Sequence, residues 1–197
     1  MNVKITELPL ADALTGAEAI PIVQDGITKQ TTTGDLLPPY KVFTGLLTQS
    51  GGDDPQTISD GLVTKGVTYQ IQGDDGNFLN VGAPNNNDGT YFIAINNEQP
   101  TDYGTSLLNY NNGAPVCTIL ENTLGNVWFT YYDDGKYYFN SNGLFANNKT
   151  WTNPTSNDNG SIQFQMFRIN DNQCRIIDIS GSNNGMVNTS IEIRVYN

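Results

Sequence analysis

Turn-forming residues recur at short intervals along this sequence, and they constrain the fold more than any other feature. The clearest case is a run of aromatic and β-branched residues at 127–132, followed by Asp133, Asp134 and Gly135 and then by a second aromatic run at 136–140. A three-residue loop that ends in Gly suits a type I turn closed by a left-handed residue. The pattern predicts a β-hairpin over 127–140.

Similar patterns cover most of the chain after residue 39. Segments with the alternation or the β-branched content typical of strands lie at 41–49, 67–71, 90–95, 116–121, 161–169, 174–179 and 190–196. Breaker-rich stretches separate them, and the 20 glycines favour turns over long helices. We therefore predict an all-β fold in which residues 40–197 form an antiparallel β-sandwich or jelly-roll-like body. Two smaller sandwiches divided near 122–126 are the alternative.

Residues 1–39 have a different character. Two strand-like runs, 20–24 and 27–31, flank Asp25 and Gly26, which is the strongest short signal for a hairpin with a type I′ turn. Residues 33–37 are compatible with one helical turn before Pro38 and Pro39 end it. A lone hairpin is marginal in water. We therefore expect this extended N-terminal segment to pack on another chain or on the following domain.

The charge balance excludes some classes of partner. The formal net charge is −11, which repels nucleic acid backbones and anionic membrane surfaces. The N-terminus lacks the apolar core of a signal peptide, and no apolar run is long enough to span a membrane. We expect a protein that is made in the cytoplasm, stays soluble, and binds neither nucleic acid nor membrane.

The side chains that most catalytic sites need are scarce. The sequence has no histidine, no phosphate-binding glycine motif, and only two cysteines, Cys117 and Cys174. We expect both cysteines to be reduced, partly buried strand residues, with one long-range disulfide as the alternative.

Paired acids at 53–54, 74–75 and 133–134 adjoin glycines and are typical of turns, although a glycosidase needs only two carboxyl groups. Calcium at 157–159 or 170–172 is a less favoured alternative. The sequence thus predicts no catalytic residue, no cofactor and no metal.

A cluster of aromatic residues is a candidate contact surface. Alternation places Trp128, Thr130 and Tyr132 on one face of a strand, and Phe129 and Tyr131 on the other. Only one face can be core unless a neighbouring chain covers the other. The cluster is therefore ordinary core, part of a subunit interface, or a platform on which sugar rings stack. The candidate interface or glycan contacts are Trp128, Tyr131, Tyr137 and Trp151.

The phrase Lys4-Ile5-Thr6-Glu7-Leu8-Pro9, continued through 14–31 to Asp35-Leu36, resembles the opening of many phage tail-fibre and virion-appendage proteins. The resemblance covers about a fifth of the chain and implies that this part is the attachment end. The residues expected to bind other virion proteins, of the capsid or the tail, are Ile5, Leu8, Pro9, Leu14, Ile20, Pro21, Ile22 and Ile27.

Three further stretches, 40–52, 78–87 and 113–128, are similar to a module of uncharacterised phage and prophage proteins, often from viruses of Bacteroidetes-type hosts. That module implies a location in the virion but no activity. Together the resemblances favour a non-enzymatic structural protein, a head fibre, tail fibre or decoration protein, as a homotrimer anchored by its N-terminus. A host-receptor or glycan-binding adhesin is the alternative, and a polysaccharide depolymerase is a remote one.

Overall fold

The computed structural model describes residues 17–32, 39–154, 164–181, 183 and 185–197. The chain divides into two compact units, Met1–Pro39 and Tyr40–Asn197. Within the described residues, no helix is both long enough and apolar enough to cross a membrane.

The described part of the first unit is the expected hairpin. Strands β1 (Ala19–Gln24) and β2 (Ile27–Thr32) pair in antiparallel register, with Gln24 opposite Ile27. Asp25 and Gly26 both have positive φ, 55° and 72°, as a type I′ turn requires. The prediction of a hairpin is confirmed, whereas the helical turn expected at 33–37 lies outside the described residues.

The strands of the second unit, the body, are β3 (Tyr40–Thr48), β4 (Pro55–Ile58), β5 (Thr68–Gln72), β6 (Tyr91–Ile93), β7 (Leu107–Asn111), β8 (Val116–Asn122), β9 (Val127–Asp133), β10 (Lys136–Ser141), β11 (Thr150–Pro154), β12 (Phe164–Asn170), β13 (Gln173–Asp178) and β14 (Thr189–Tyr196). A short 3-10 helix at Leu79–Val81 is the helical element of the described body. The all-β prediction is therefore confirmed.

The described strands of the body form three antiparallel four-stranded sheets. We name them sheet I (β4-β7-β5-β6), sheet II (β11-β14-β3-β8) and sheet III (β12-β13-β10-β9). Strands β4, β7 and β11 are not predicted from the sequence, because they are rich in Asn, Thr and Pro, and their pairing with distant strands overrides that weak local preference.

The hairpin of β9 and β10 follows the pattern expected from the sequence. Gly135 has φ 65°, and the register shifts between Lys136 and Tyr137. A left-handed glycine beside a bulge closes a three-residue connection without splaying the strands. The predicted hairpin over 127–140 is confirmed.

The larger core lies between sheets II and III and includes four phenylalanines that are fully buried. The ring of Phe139 on β10 lies 4.8 Å from Phe43 on β3, 4.9 Å from Phe129 on β9 and 5.4 Å from Phe145. The two sheets thus share one apolar interior, as in a β-sandwich. The jelly-roll connection stays a prediction.

A second, smaller core lies on one face of sheet I. Tyr69, Ile71 and Leu108 alternate with polar residues along β5 and β7, and they pack with Phe78 and Phe92. Because the period of a strand is two residues, burying these side chains directs Gln70 and its neighbours to the other face of the sheet. That other face forms part of the candidate site.

Candidate functional site

A cleft of about 270 Å³ lies between sheet I and strand β9. We call it the β9 cleft. Its lining combines aromatic rings with amides and hydroxyls: Thr68, Gln70, Tyr91, Asn109, Tyr110, Asn111, Ala114, Phe129, Thr130 and Tyr131.

Register explains why sheet I presents polar groups to the cleft. Gln70 on β5 lies opposite Tyr91 on one side and Asn109 on the other. Directly opposed residues of antiparallel strands share a face, so these three side chains project together. Ile71 and Leu108, which also face each other, belong to the opposite, buried face. The apolar pattern that builds the smaller core thus also produces a polar floor for the cleft.

The wall across from this floor is an edge strand. Among the described residues, β9 pairs with β10 and with no other strand of sheet III. The backbone N–H of Phe129 points away from β10 and donates to Thr68 Oγ1 at 3.1 Å. Because backbone direction alternates along an antiparallel strand, Tyr131, two residues further, also directs its backbone N–H and C=O away from β10. The cleft is therefore bordered by backbone donors and acceptors as well as by side chains.

The side-chain amides that line the cleft differ in how many of their hydrogen bonds are already made within the protein. Asn109 accepts a hydrogen bond from Thr57 Oγ1 at 2.8 Å and donates to Gln72 Oε1 at 3.2 Å, so its orientation is fixed. The amide of Gln70, by contrast, has no hydrogen-bond partner within the described part of the chain. Gln70 thus offers two donors and an acceptor to a ligand.

Asn111 holds the rim of the cleft in place. Its Oδ1 accepts from the backbone N–H of Gly113 at 2.8 Å and of Asp54 at 3.2 Å, while its Nδ2 donates to Asp53 Oδ1 at 2.6 Å. These bonds tie the loop after β3 to the end of β7. The rim is therefore preorganised by contacts within the protein.

Two of the predicted contact residues belong to the cleft or support it. Trp128 stacks on Tyr91, with ring centroids 5.3 Å apart and planes 7° apart, and so holds the Tyr91 ring in position. Tyr131 lines the cleft, and its hydroxyl donates to Asp134 Oδ1 at 2.8 Å. Burial raises the pKa of Tyr91, so its phenol stays neutral at physiological pH.

The other two predicted contacts lie elsewhere. Tyr137 is only 1% exposed and belongs to the larger core, so its inclusion among the surface contacts was wrong. Its side chain projects from β10, an inner strand of sheet III, into the core that this sheet shares with sheet II. Trp151 is 42% exposed on sheet II, where the guanidinium of Arg194 lies 5.1 Å from its ring centroid. The four predicted residues therefore do not form one platform.

Sheets II and III each also carry an arginine that lies close to two aromatic rings, a feature that was not predicted from the sequence. Arg175 lies 4.9 Å from the ring centroid of Tyr132 and 5.2 Å from that of Tyr138. Arg194 lies 4.7 Å from the ring centroid of Tyr40, in addition to its contact with Trp151. Alternation in the sequence shows which strand positions face outward, but it does not show which strands are neighbours.

The residues proposed for attachment are described in part. On the hairpin, Ile20 and Ile22 are half-buried, Pro21 is exposed and Ile27 is 62% exposed, and the register places Ile27 on the same face as the other two isoleucines. Val23, on the opposite face, is 76% exposed. The remaining residues of the set, Ile5, Leu8, Pro9 and Leu14, lie outside the described residues.

Both cysteines are free and buried, Cys117 on β8 and Cys174 on β13. This confirms that they are reduced strand residues and overturns the disulfide alternative, while their burial is more complete than expected. Burial raises the pKa of each thiol to about 12, so both stay protonated.

The pairs at 74–75 and 133–134 lie at bends or turns and accept hydrogen bonds from backbone amides, as Asp74 does from Asp88 N–H at 2.6 Å. Asp53 and Asp54 accept instead from the side-chain amides of Asn111 and Asn112. Within the described ranges, no three His, Cys, Asp or Glu side chains group closely enough to hold a metal ion. Of the calcium alternatives, 170–172 forms part of the turn between β12 and β13, and 157–159 lies outside the described residues.

Comparison with known proteins finds no family model, no curated protein and no solved structure that matches this chain.

Proposed function

We propose that this chain is a non-enzymatic structural protein of a bacteriophage particle, attached to other virion proteins through residues 1–39. The observation that carries the proposal is the hairpin at Ala19–Thr32, whose apolar side chains Val23 and Ile27 are largely exposed on opposite faces. An isolated two-stranded hairpin is marginal in water, so an apolar partner surface would stabilise it. The resemblance of this segment to the attachment ends of virion appendages supports the same function.

The size of the hairpin favours attachment through several copies. Fully burying one large, exposed aliphatic side chain contributes about 1.5–3 kcal/mol, so the two largely exposed ones, Val23 and Ile27, together contribute roughly 3–6 kcal/mol. Association itself costs roughly 4–15 kcal/mol. One hairpin alone would therefore bind weakly. Three linked hairpins on a homotrimer bind more tightly, because the second and third contacts are intramolecular.

The attachment proposal is tested by incorporation into particles. A Val23→Asp/Ile27→Asp variant should be lost from gradient-purified particles while its body stays folded by circular dichroism, because each change places a charge in the proposed interface. Leu62→Asp is the matched control, since Leu62 is a comparably exposed apolar residue of the body. The proposal would be contradicted if the unchanged protein were absent from the particles. It would also be contradicted if the unchanged protein, the double variant and the Leu62→Asp control were incorporated equally.

The trimer is tested by light scattering on the full chain and on a version lacking residues 1–39. A trimer in both places assembly in the body and leaves the N-terminal segment as the anchor. A trimer that becomes a folded monomer on truncation makes that segment the assembly element. A monomer in both refutes the homotrimer and favours a decoration protein that binds singly.

A second candidate function, recognition of a host-surface glycan, is favoured by the β9 cleft. Aromatic rings beside amides and hydroxyls are the groups with which proteins hold sugars. A depolymerase is less favoured by this geometry, because hydrolysis of a glycosidic bond generally uses two carboxyl groups and the lining of the cleft has none.

A further inference from the structure

We propose that the β9 cleft binds a single neutral sugar residue, held against Tyr91 and hydrogen-bonded by Gln70. This inference rests on the second candidate function and names its site and its class of ligand. The ligand is placed in a recessed site built by strands β5, β6, β7 and β9, and not on the exposed aromatic platform that was one of the alternatives left open by the sequence.

The absence of charge in the lining selects a neutral ligand. Among the ten residues that line the cleft there is no Asp, Glu, Lys or Arg. An anionic or cationic ligand would lose hydration on entering and meet no opposite charge to compensate. The formal net charge of −11 further disfavours acidic sugars by long-range repulsion. A hydroxyl-rich neutral molecule has no such cost.

The hydrogen-bonding groups of the cleft are arranged to meet hydroxyl groups. Thr68 Oγ1 accepts from the N–H of Phe129 at 3.1 Å, and Thr130 Oγ1 accepts from Asn140 Nδ2 at 3.0 Å. Each threonine hydroxyl therefore keeps its own proton for a ligand oxygen, while the engaged oxygen fixes its position. Together with the free amide of Gln70, the cleft offers donors and acceptors on both walls, which matches the alternating hydroxyls of a sugar ring.

The aromatic side of the cleft is rigid before a ligand arrives. The parallel stack with Trp128 covers one face of Tyr91 and leaves the rest of that ring to border the cleft. A sugar ring packs its C–H face on such a surface, and little side-chain entropy is lost because the tyrosine is already fixed. A volume of about 270 Å³ leaves room for one six-membered ring but not for a long oligosaccharide segment.

The first measurement uses the full-length protein on a printed array of neutral and acidic oligosaccharides. Neutral probes that bind are then titrated as their terminal methyl glycosides. The sequence has two tryptophans, so a Trp151→Phe variant leaves Trp128, beside the cleft, as the fluorescent reporter. We expect a saturable change in Trp128 emission with a dissociation constant on the order of 1 mM, as is usual for one small sugar in an open site.

Substitutions locate the site. Gln70→Ala should weaken binding about tenfold, since it removes one or two hydrogen bonds. Tyr91→Ala should abolish measurable binding, whereas Tyr91→Phe should stay within about threefold of the unchanged protein because it keeps the ring. Gln165→Ala is the matched control, being an exposed strand glutamine on β12, outside the cleft, and it should bind normally. Thermal melts show whether each variant is folded.

The outcomes separate this inference from the function on which it rests. Failure of every glycan probe to bind overturns both. Binding that survives Gln70→Ala and Tyr91→Ala but is lost in Trp151→Ala keeps the adhesin function and overturns the cleft as its site. Preference for acidic over neutral probes overturns the neutral ligand. Neutral binding that is lost with Tyr91→Ala, restored with Tyr91→Phe and unaffected by Gln165→Ala supports the proposal.

Discussion

Replacing Phe139 with alanine would remove a side chain that packs between sheets II and III. Phe139 is 0% exposed, and its ring lies between 4.8 and 5.4 Å from three other phenylalanine rings. A buried Phe→Ala change costs about 3–5 kcal/mol, and each aromatic pair contributes about 0.5–1.5 kcal/mol beyond the buried area. Because three pairs are lost at once, we expect a value near the upper end, about 4–5 kcal/mol.

The assay is urea unfolding followed by fluorescence and circular dichroism. A typical domain is stable by about 5–15 kcal/mol, so a loss of this size moves the midpoint strongly and lowers Tm by roughly 10–15 °C. Phe167→Ala is the matched control, because Phe167 lies on β12 in the same sheet but is 39% exposed, and its loss should cost about 1 kcal/mol or less. If the two variants were equally stable, the shared core of sheets II and III would be refuted.

Three further predictions follow from close packing and from buried ionisable groups. In Gly113→Ala the new Cβ would lie 2.0 Å from the backbone oxygen of Gly52, so we expect the free energy of unfolding to fall by roughly 2 kcal/mol or more, as measured by thermal melts. In the control variant Gly52→Ala the new Cβ lies 3.5 Å from its nearest neighbour, so the loss of stability should be far smaller. Cys117 and Cys174 should not react with a thiol reagent at pH 8 until urea unfolds the chain, and rapid labelling of the native protein would contradict their burial. Burial raises the pKa of both thiols and of Tyr103 to about 12, so the folded state holds these protons more tightly than the unfolded chain does. The free energy of unfolding should therefore fall as the pH rises from about 9 to 12. A urea midpoint that is the same at pH 8 and at pH 11 would contradict this.

The parts of the fold that depend on neighbouring residues could be predicted from the sequence. The turn at Asp25 and Gly26 and the connection ending at Gly135 each need left-handed backbone that these residue types adopt readily, and both hairpins are found where they were expected. Alternation also predicted that Trp128 and Phe129 lie on opposite faces of β9, and Phe129 is fully buried whereas Trp128 is partly exposed. All of these features are decided within a few residues of the chain.

The candidate site could not be predicted in the same way. Gln70, Asn109 and Tyr131 come from three strands that are far apart in the sequence, and one of them, β7, was not foreseen. Tyr131 and Tyr137 look equivalent in the sequence, yet Tyr131 lines a cleft and Tyr137 is core, because β9 is the edge strand of sheet III whereas β10 is an inner strand. Local patterns specify the faces of strands, whereas the order of strands in a sheet is decided by long-range packing.

The pairing of β3 with β14 has a consequence for how the body folds. Pairing between these strands joins residues up to 156 positions apart, Tyr40 and Tyr196, and β14 brings the buried Ile191 and Ile193 into the larger core. Closing so long a loop is slow and is rewarded only when the whole sheet forms. During synthesis, sheet II therefore stays incomplete until residues 189–196 have emerged from the ribosome. The larger core then folds late and in one cooperative step. Until it does, its apolar strands are exposed and can aggregate with those of another chain.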